Sequence, residues 1–379
     1  MKKLFINFFT ISALAASLLS LTGCAAEGIH SSHGVNMMEE AELLAIYERD
    51  GFDEVYIVNH DGNEVAHYAL IESGDTVSYT LPEDAIEIRI PLSKASIDSE
   101  VYAAAFEELG SAEKIAGMFD APFVTSPSLR RKIDSGQISD LGQPSSPDLE
   151  KIIALAPDAI LVSYFDGMQT GNLDRLNFPI LKMYDLQERN PLGRAEWIRL
   201  LGRLTGNAEE ADSIFYAVKK NYEEIASSVT TRDSLPKVLT ETVYEGTWYV
   251  PGGASYQAAL IRDAGGNYFK AGDGNPVTLN LTAEQVLHDG GDSDIWIIRH
   301  YGDEEDLKSI LASDPVYRDI KAFQQGNVYF SDTSRSSLFR EFPFHRERLL
   351  RDYRIIFSND TSFSPTYFHR LTPAPVKNK

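Results

Sequence analysis

The chain has 379 residues, room for about two domains. Acidic residues number 56 against 35 basic ones, a net charge of −21 that makes nucleic-acid phosphates poor partners. The single Cys excludes a disulfide scaffold and a Cys-rich zinc module, and 43% apolar with 11% aromatic residues suffices for an ordinary globular core.

In chain order, Met1-Lys2-Lys3 is a basic start, and Leu4 to Leu21 is apolar but broken by Asn7, Thr10, Ser12, Ser17 and Ser20. Leu21-Thr22-Gly23-Cys24 follows. Residues 1–23 look like a bacterial lipoprotein signal, with Cys24 as the acylated first residue of the mature chain. A membrane-spanning anchor is the competing reading and needs about 20 apolar residues. The small residues before the only Cys favour the lipobox. Without Lys2 and Lys3 the charge is about −23. Residues 24–38 read as a flexible tether in which His30 and His33 are solvated. No later segment is apolar enough to span a bilayer. The expectation is a lipid-anchored, extracytoplasmic monomer on the periplasmic face of a bacterial membrane.

Val55 to Val58, the His60-Asp61-Gly62-Asn63 turn and Val65 to Ile71 predict a β-hairpin. Ile86, Ile88 and Ile90 alternate with polar residues and predict another strand. Strands and helices then alternate. Asp98-Ser99 starts a helix through Tyr102, Phe106 and Leu109, ended by Gly110. Ser146-Pro147-Asp148 opens another, with Pro147 in its first turn and Pro157 as its stop, before a buried strand at Ala159 to Val162. Trp197, Leu200, Leu201 and Leu204 mark an amphipathic helix ended by Gly206. Asn207 and Glu210 are placed to cap the next. There Phe215, Val218, Tyr222 and Ile225 make one apolar face, and Ala208 to Val229 would span about 30 Å.

After Pro236 the alternation restarts: a strand at Val238 to Val243, a helix at Tyr256 to Arg262 closed by Gly265-Gly266, a short helix capped by Thr282, and strands at Ile295 to Ile298 and Asn327 to Phe330. The fold class is α/β, two lobes around one long backbone helix, with an extra N-terminal β-element. The divisions are 1–23 signal, 24–38 tether, 39–190 N-terminal α/β lobe including the hairpin, 191–235 linking helices, and 236–379 C-terminal α/β lobe with a closing helix. Tandem α/β lobes bind ligands in the crevice between them.

Four stretches together resemble the helical-backbone substrate-binding lipoproteins of ABC importers for ferric siderophores, haem and cobalamin, the class III periplasmic-binding-protein fold. They are Ser146 to Leu161, Pro191-Leu192-Gly193-Arg194-Ala195-Glu196-Trp197-Ile198, Trp248-Tyr249-Val250-Pro251-Gly252-Gly253, and Leu281-Thr282-Ala283-Glu284-Gln285-Val286-Leu287. The resemblance runs from about Ile86 to Phe357. Residues from about Glu40 to Glu83 exceed the usual start of that fold, and Asp289-Gly290-Gly291-Asp292-Ser293-Asp294 departs from its Pro-Asp stop. The resemblance implies that Glu150 and Glu284, one per lobe, dock onto arginines of an ABC permease dimer. The bland alternative is that each simply favours its own helix dipole.

The cleft is expected to be lined by loops at strand ends: Ser93-Lys94, Phe123 and Ser163-Tyr164-Phe165 from one lobe, and Tyr244 to Tyr249, Arg299-His300-Tyr301 and Arg335 to Phe342 from the other. Aromatic faces suit a bulky chelate, and Lys94, Arg299 and Arg340 suit its carboxylate or catecholate oxygens. The candidate ligand-binding residues are thus Lys94, Tyr164, Phe165, Trp248, Tyr249, Arg299, His300, Tyr301 and Arg340. The alternative for Trp248 and Tyr249 is a place in the lobe core. A haem ligand would use His300 or Tyr301, with Tyr164 opposite, as axial partners. The histidines show no zinc-site spacing, and no metal site or cofactor beyond the ligand is expected. Gly-x-Ser-x-Gly and phosphate-loop motifs are absent, so an enzyme is not expected.

The leading reading is capture of an iron chelate and its delivery to a permease, with only small lobe closure because one long helix resists wide hinging. Haem or cobalamin as ligand is an alternative, as is a scaffold lipoprotein of an outer-membrane uptake complex.

Overall fold

The computed structural model describes residues 34–74, 80–229, 235–313 and 315–372. Cys24, the signal and most of the tether lie outside the described residues. Among the described residues no helix is long and apolar enough to cross a membrane.

The N-terminal β-element is a four-stranded sheet in the order β1 (Leu44–Arg49), β2 (Phe52–Val58), β3 (Glu64–Glu72), β4 (Ile86–Ile90). The predicted hairpin is β2–β3. Gly62 at φ 78° closes it, donating its N–H to the Asn59 carbonyl. The Ile86 strand joins this sheet, parallel to β3.

The first lobe follows with β5 (Ala95–Ile97), α1 (Glu100–Glu108), β6 (Ile115–Met118), α2 (Pro127–Asp134), β7 (Ser139–Asp140), a small ribbon of β8 (Gly142–Gln143) and β9 (Ser146–Pro147), α3 (Leu149–Leu155), β10 (Ala159–Ser163) and β11 (Ile180–Met183). Its sheet is parallel, in the order β11-β10-β5-β6-β7. Pro147 pairs in the ribbon instead of opening α3; Asp148 caps that helix by accepting the Lys151 N–H.

Three helices carry the chain across: α4 (Pro191–Glu196), α5 (Ile198–Thr205) and the 20-residue α6 (Ala208–Ser227), about 30 Å long. Asn207 starts α6 without capping it through its side chain, which bonds Ser111 Oγ and the Thr205 carbonyl instead. Ala211 and Phe215 of α6 belong to the first lobe's core, Val218 and Tyr222 to the second's. One apolar stripe thus serves two cores in succession.

The second lobe contains β12 (Lys237–Thr240), β13 (Val243–Tyr244), β14 (Thr247–Pro251), α7 (Tyr256–Asp263), β15 (Asn267–Tyr268), β16 (Thr278–Leu281), α8 (Ala283–Gly290), β17 (Ile295–His300), α9 (Glu304–Ser313), α10 (Lys321–Gln324), β18 (Val328–Asp332), α11 (Leu338–Glu341), α12 (Arg346–Ser358) and β19 (His369–Arg370). Its main sheet has the order β15-β12-β17-β18-β19, parallel except for β19, and β13-β14-β16 form an antiparallel sheet beside it. The strand expected to reach Val243 breaks after Thr240, and Val243 starts the smaller sheet.

Two buried carboxylates fasten the N-terminal segment to α4 and α5. Glu196 accepts the backbone N–H groups of Glu39, Glu40 and Ala41 at 2.7–2.9 Å, and Arg199 Nη1 at 2.8 Å. Glu188 accepts from Glu42 N, Leu43 N and Trp197 Nε1, yet burial still pushes its pKa up to about 7. The segment passes so close that a Cβ on Gly193 would lie 2.7 Å from the Glu40 carbonyl oxygen. Glu196→Ala would strand three amides and leave Arg199 with only Asp212 and the Met37 carbonyl, so we expect a loss of about 3 kcal/mol or more in urea unfolding, and a smaller loss for Glu196→Gln.

Candidate functional site

The loops after the parallel strands' C-terminal ends face the cleft. In the first lobe they carry Asp98, Asp120 (φ 47°) and Ser163-Tyr164-Phe165. Asp98, after β5, accepts Ser163 N at 2.6 Å and Ser163 Oγ at 3.0 Å; burial nevertheless pushes its pKa up to about 7. Phe123 and Phe165 are exposed. Tyr164 lies 6.2 Å from Tyr184, with Lys182 Nζ 4.7 Å from its ring centre.

In the second lobe a pocket of about 710 Å³ opens at the ends of β12 and β17, lined by Glu241, Tyr244, Tyr249, Gln257, Arg299, His300 and Tyr301 among others. Four of the nine predicted ligand-binding residues, Tyr249, Arg299, His300 and Tyr301, meet here. Tyr249 projects outward because β14 alternates: its neighbours Trp248 and Val250 are fully buried. Arg299 is already engaged. Its Nε donates to Glu241 Oε1 at 2.6 Å, and a second guanidinium nitrogen bonds the same oxygen. Burial alone would lower the Arg299 pKa, but Glu241 holds it above the usual range. Glu241 sits in the left-handed region, φ 62°. Its N–H donates to the Ile297 carbonyl and its own carbonyl accepts Trp296 Nε1.

Two expectations are corrected. Trp248 is a core residue, packed against Trp296 and Tyr317 with its Nε1 donating to the Thr240 carbonyl. Lys94 precedes β5, at the opposite end of the sheet from Asp98 and Ser163, and its Nζ donates to the Leu155 carbonyl at the end of α3. His300 Nε2 is buried without a hydrogen-bond partner, and a Cβ on Gly302 would lie 2.8 Å from it. Arg340 stands apart from the tyrosine pocket. It lines an inter-lobe groove of about 560 Å³ with Glu107, Glu108, Arg131, His345 and Arg348.

Glu150 and Glu284 occupy the first turns of α3 and α8, both exposed. Each helix feeds a parallel strand and runs against it, so both first turns lie at the cleft end of their sheets. The Thr282–Gln285 capping box holds the start of α8.

A buried polar chain at the lobe junction was not anticipated. Tyr102 Oη donates to Asp185 Oδ1 at 2.7 Å, Arg194 Nε donates to Asp185 Oδ2 at 2.8 Å, and Arg194 Nη1 donates to Tyr256 Oη at 3.2 Å. Arg346 is fully buried 4.4 Å from the Tyr256 ring centre, with none of its guanidinium nitrogens hydrogen-bonded. Burial, and then Arg194, push its pKa down to about 9. The signal available in sequence was the run Arg194, Glu196, Arg199, Arg203 inside otherwise apolar helices.

The periplasmic binding protein family model matches residues 99–334. The chain belongs to the periplasmic binding protein family. Its relatives include an uncharacterised lipoprotein of Methanocaldococcus jannaschii, 28% identical over 79% of this chain and 77% of that protein, and a cobalamin-binding protein of Halobacterium salinarum, 25% identical over 60% of each. The triscatecholate siderophore-binding protein FeuA of Bacillus subtilis has the same fold (TM-score 0.58, 16% identity, covering 73% of this chain and 96% of that one). So does a periplasmic haem-binding protein of Pseudomonas aeruginosa (TM-score 0.58, 13% identity, 74% and 98%). The fold is that of the class III periplasmic binding proteins, and the family's work is binding rather than catalysis.

His345 ties the lobes together by bonding Glu108 of α1 at 2.8 Å. Burial lowers its pKa, but the hydrogen bond to Glu108 and the Glu347 carboxylate 3.4 Å from its Nδ1 outweigh this and push it up to about 9. A raised histidine stabilises while protonated in the folded state. Its contribution is complete below the ordinary value of 6.5 and is lost as pH rises through about 9. We expect wild type to exceed His345→Gln by on the order of 1–3 kcal/mol at pH 6 in urea titrations, with the gap closing above about pH 9.

Proposed function

We propose that this protein captures an iron chelate of the ferric-siderophore type between its lobes and delivers it to the permease dimer of an ABC importer. The observation that carries the reading is the pocket at the ends of β12 and β17. Its volume of about 710 Å³ suits a small-molecule ligand, and Tyr244, Tyr249 and Tyr301 offer rigid faces beside Arg299. Tyr164 and Phe165 are the opposing faces from the first lobe, and Arg340 supplies a cation from the groove between them. Glu150 and Glu284 are the docking charges for permease arginines. Cys24 carries the lipid that keeps the protein at the extracytoplasmic face of the membrane, a reading supported by the lipoprotein relative.

Cobalamin is the second reading, favoured by the named ligand of the Halobacterium relative. A corrinoid would use the same tyrosine faces. Haem is less well served. With His300 Nε2 buried next to Gly302, an axial ligand from this lobe would have to be Tyr301, a residue 76% exposed.

Purified protein titrated with ferric siderophores, cobalamin and haem should show intrinsic-fluorescence quenching with at least one of them. Tyr249→Ala and Tyr301→Ala should each weaken that binding by about three- to tenfold, the scale of one aromatic contact. Silence across the panel sinks the capture reading and leaves the scaffold role. Glu150→Lys combined with Glu284→Lys should leave chelate affinity unchanged and abolish uptake in cells; intact uptake would remove the docking assignment.

A further inference from the structure

The added N-terminal sheet lies outside the matched residues 99–334, and it contains a converging ligand set of its own. Glu64, His67 and Asp84 each bring one ligand atom within 4.8 Å of the others. Glu64 and His67 are three apart on β3, a spacing that normally puts side chains on opposite faces. A register shift corrects this. Ile57 pairs with Ala66 but Val58 pairs with Glu64, so Val65 is an extra residue. With Val58 facing Glu64 and Tyr56 facing His67, the bulge returns both to one face, the re-aiming that bulges supply. Asp84 arrives from the segment before β4, two residues ahead of Ile86, the partner of Tyr68.

His67 is buried, 4% exposed, and stacked on Tyr56 at 4.1 Å. Its Nε2 lies 3.0 Å from Glu54 Oε1, and Glu54 also accepts from Arg49 Nε and Tyr56 Oη. A carboxylate only accepts, so Nε2 carries the proton. In the neutral ring that leaves the lone pair on Nδ1, which is buried, makes no hydrogen bond, and faces Asp84 Oδ1 at 3.3 Å. A ring-nitrogen lone pair and two carboxylates turned toward one point make a donor set for a cation. Ligands about 2.0–2.1 Å from a tetrahedral ion stand roughly 3.4 Å apart, close to the 3.3 Å between His67 Nδ1 and Asp84 Oδ1, with the Glu64 oxygen within 4.8 Å of both. A carboxylate that fixes the other ring nitrogen of a ligating histidine is the usual outer partner of such a site.

We infer that Glu64, His67 and Asp84 bind one divalent transition-metal ion of the Zn²⁺ type, oriented by Glu54, that pins the start of β4 to β3. An imidazole with two carboxylates suits a borderline ion better than Ca²⁺ or Mg²⁺. Chelator-stripped, untagged protein titrated calorimetrically with Zn²⁺ should bind one equivalent at this site. Glu64→Gln with Asp84→Asn, both at exposed positions, should weaken that binding at least about tenfold while leaving thermal unfolding in EDTA unchanged, and Glu54→Gln should weaken it by about ten- to a hundredfold. His30→Ala with His33→Ala should leave the titration as it is. No binding by wild type, the outcome if an imidazolium alone neutralises the cluster, overturns the inference. So does binding that survives the double carboxylate change or disappears with His30 and His33.

Discussion

The structure depends on the buried Asp185–Arg194 ion pair. Asp185 lies in the turn just after the edge strand of the first lobe's sheet, Arg194 lies on the helix that leaves that lobe, and Tyr256, which accepts from Arg194, opens α7 of the second. Both charges are almost wholly excluded from water. Such a pair stabilises little relative to apolar packing, but breaking it leaves an uncompensated charge, so only one arrangement of the three elements is tolerated. Junctions held this way specify geometry more than they add stability. From Tyr256 the chain of bonds continues to Gln257 in the tyrosine pocket. In the other direction it runs through Tyr102 to Ser163 and Asp98 at the opposing strand ends. The two walls of the cleft are therefore built on one continuous polar frame.

The long helix makes that frame stiff. Its apolar stripe serves the first lobe through Phe215 and the second through Tyr222, so a large rotation of either lobe would have to unpack one of two cores. The Glu108–His345 contact lies on the same junction, and its strength depends on a proton.

Much of the fold was legible because it rests on local rules. The Asp61-Gly62 turn needs a residue at positive φ, the 3-and-4 spacing of Phe215, Val218 and Tyr222 permits only one buried face, and Thr282 with Gln285 forms its cap without tertiary help. What failed was information held by partners distant in sequence. Asn207 has the composition of a cap, but Ser111, 96 residues away, takes its amide. Lys94 and Trp248 were misplaced for different reasons. Lys94 precedes its strand, and in a parallel sheet only the following loop faces the cleft. Trp248 and Tyr249 are neighbours on a strand, so one had to point inward; the alternation Trp248, Val250 inward and Tyr249 outward separates them. The buried Arg194, Glu196 and Arg199 were missed, although they break an apolar run, because charged residues in a helix normally mark its solvent face.

That last point changes what the acidic composition means. Several of the excess carboxylates are interior acceptors for backbone amides: Glu196 and Glu188 hold residues 39–43, and Asp352 accepts the N–H groups of Thr366 and Tyr367 at 2.7 and 2.6 Å. The same economy applies in the pocket. Arg299 is the cation nearest the tyrosines, and Glu241 already neutralises it. An anionic chelate entering there must compete with Glu241 for the guanidinium, whereas the three tyrosine faces are open to any flat or bulky surface. On the proposed function, affinity at this site would come first from aromatic contact, and charge would select those ligands that offer Arg299 a better acceptor than the carboxylate it holds.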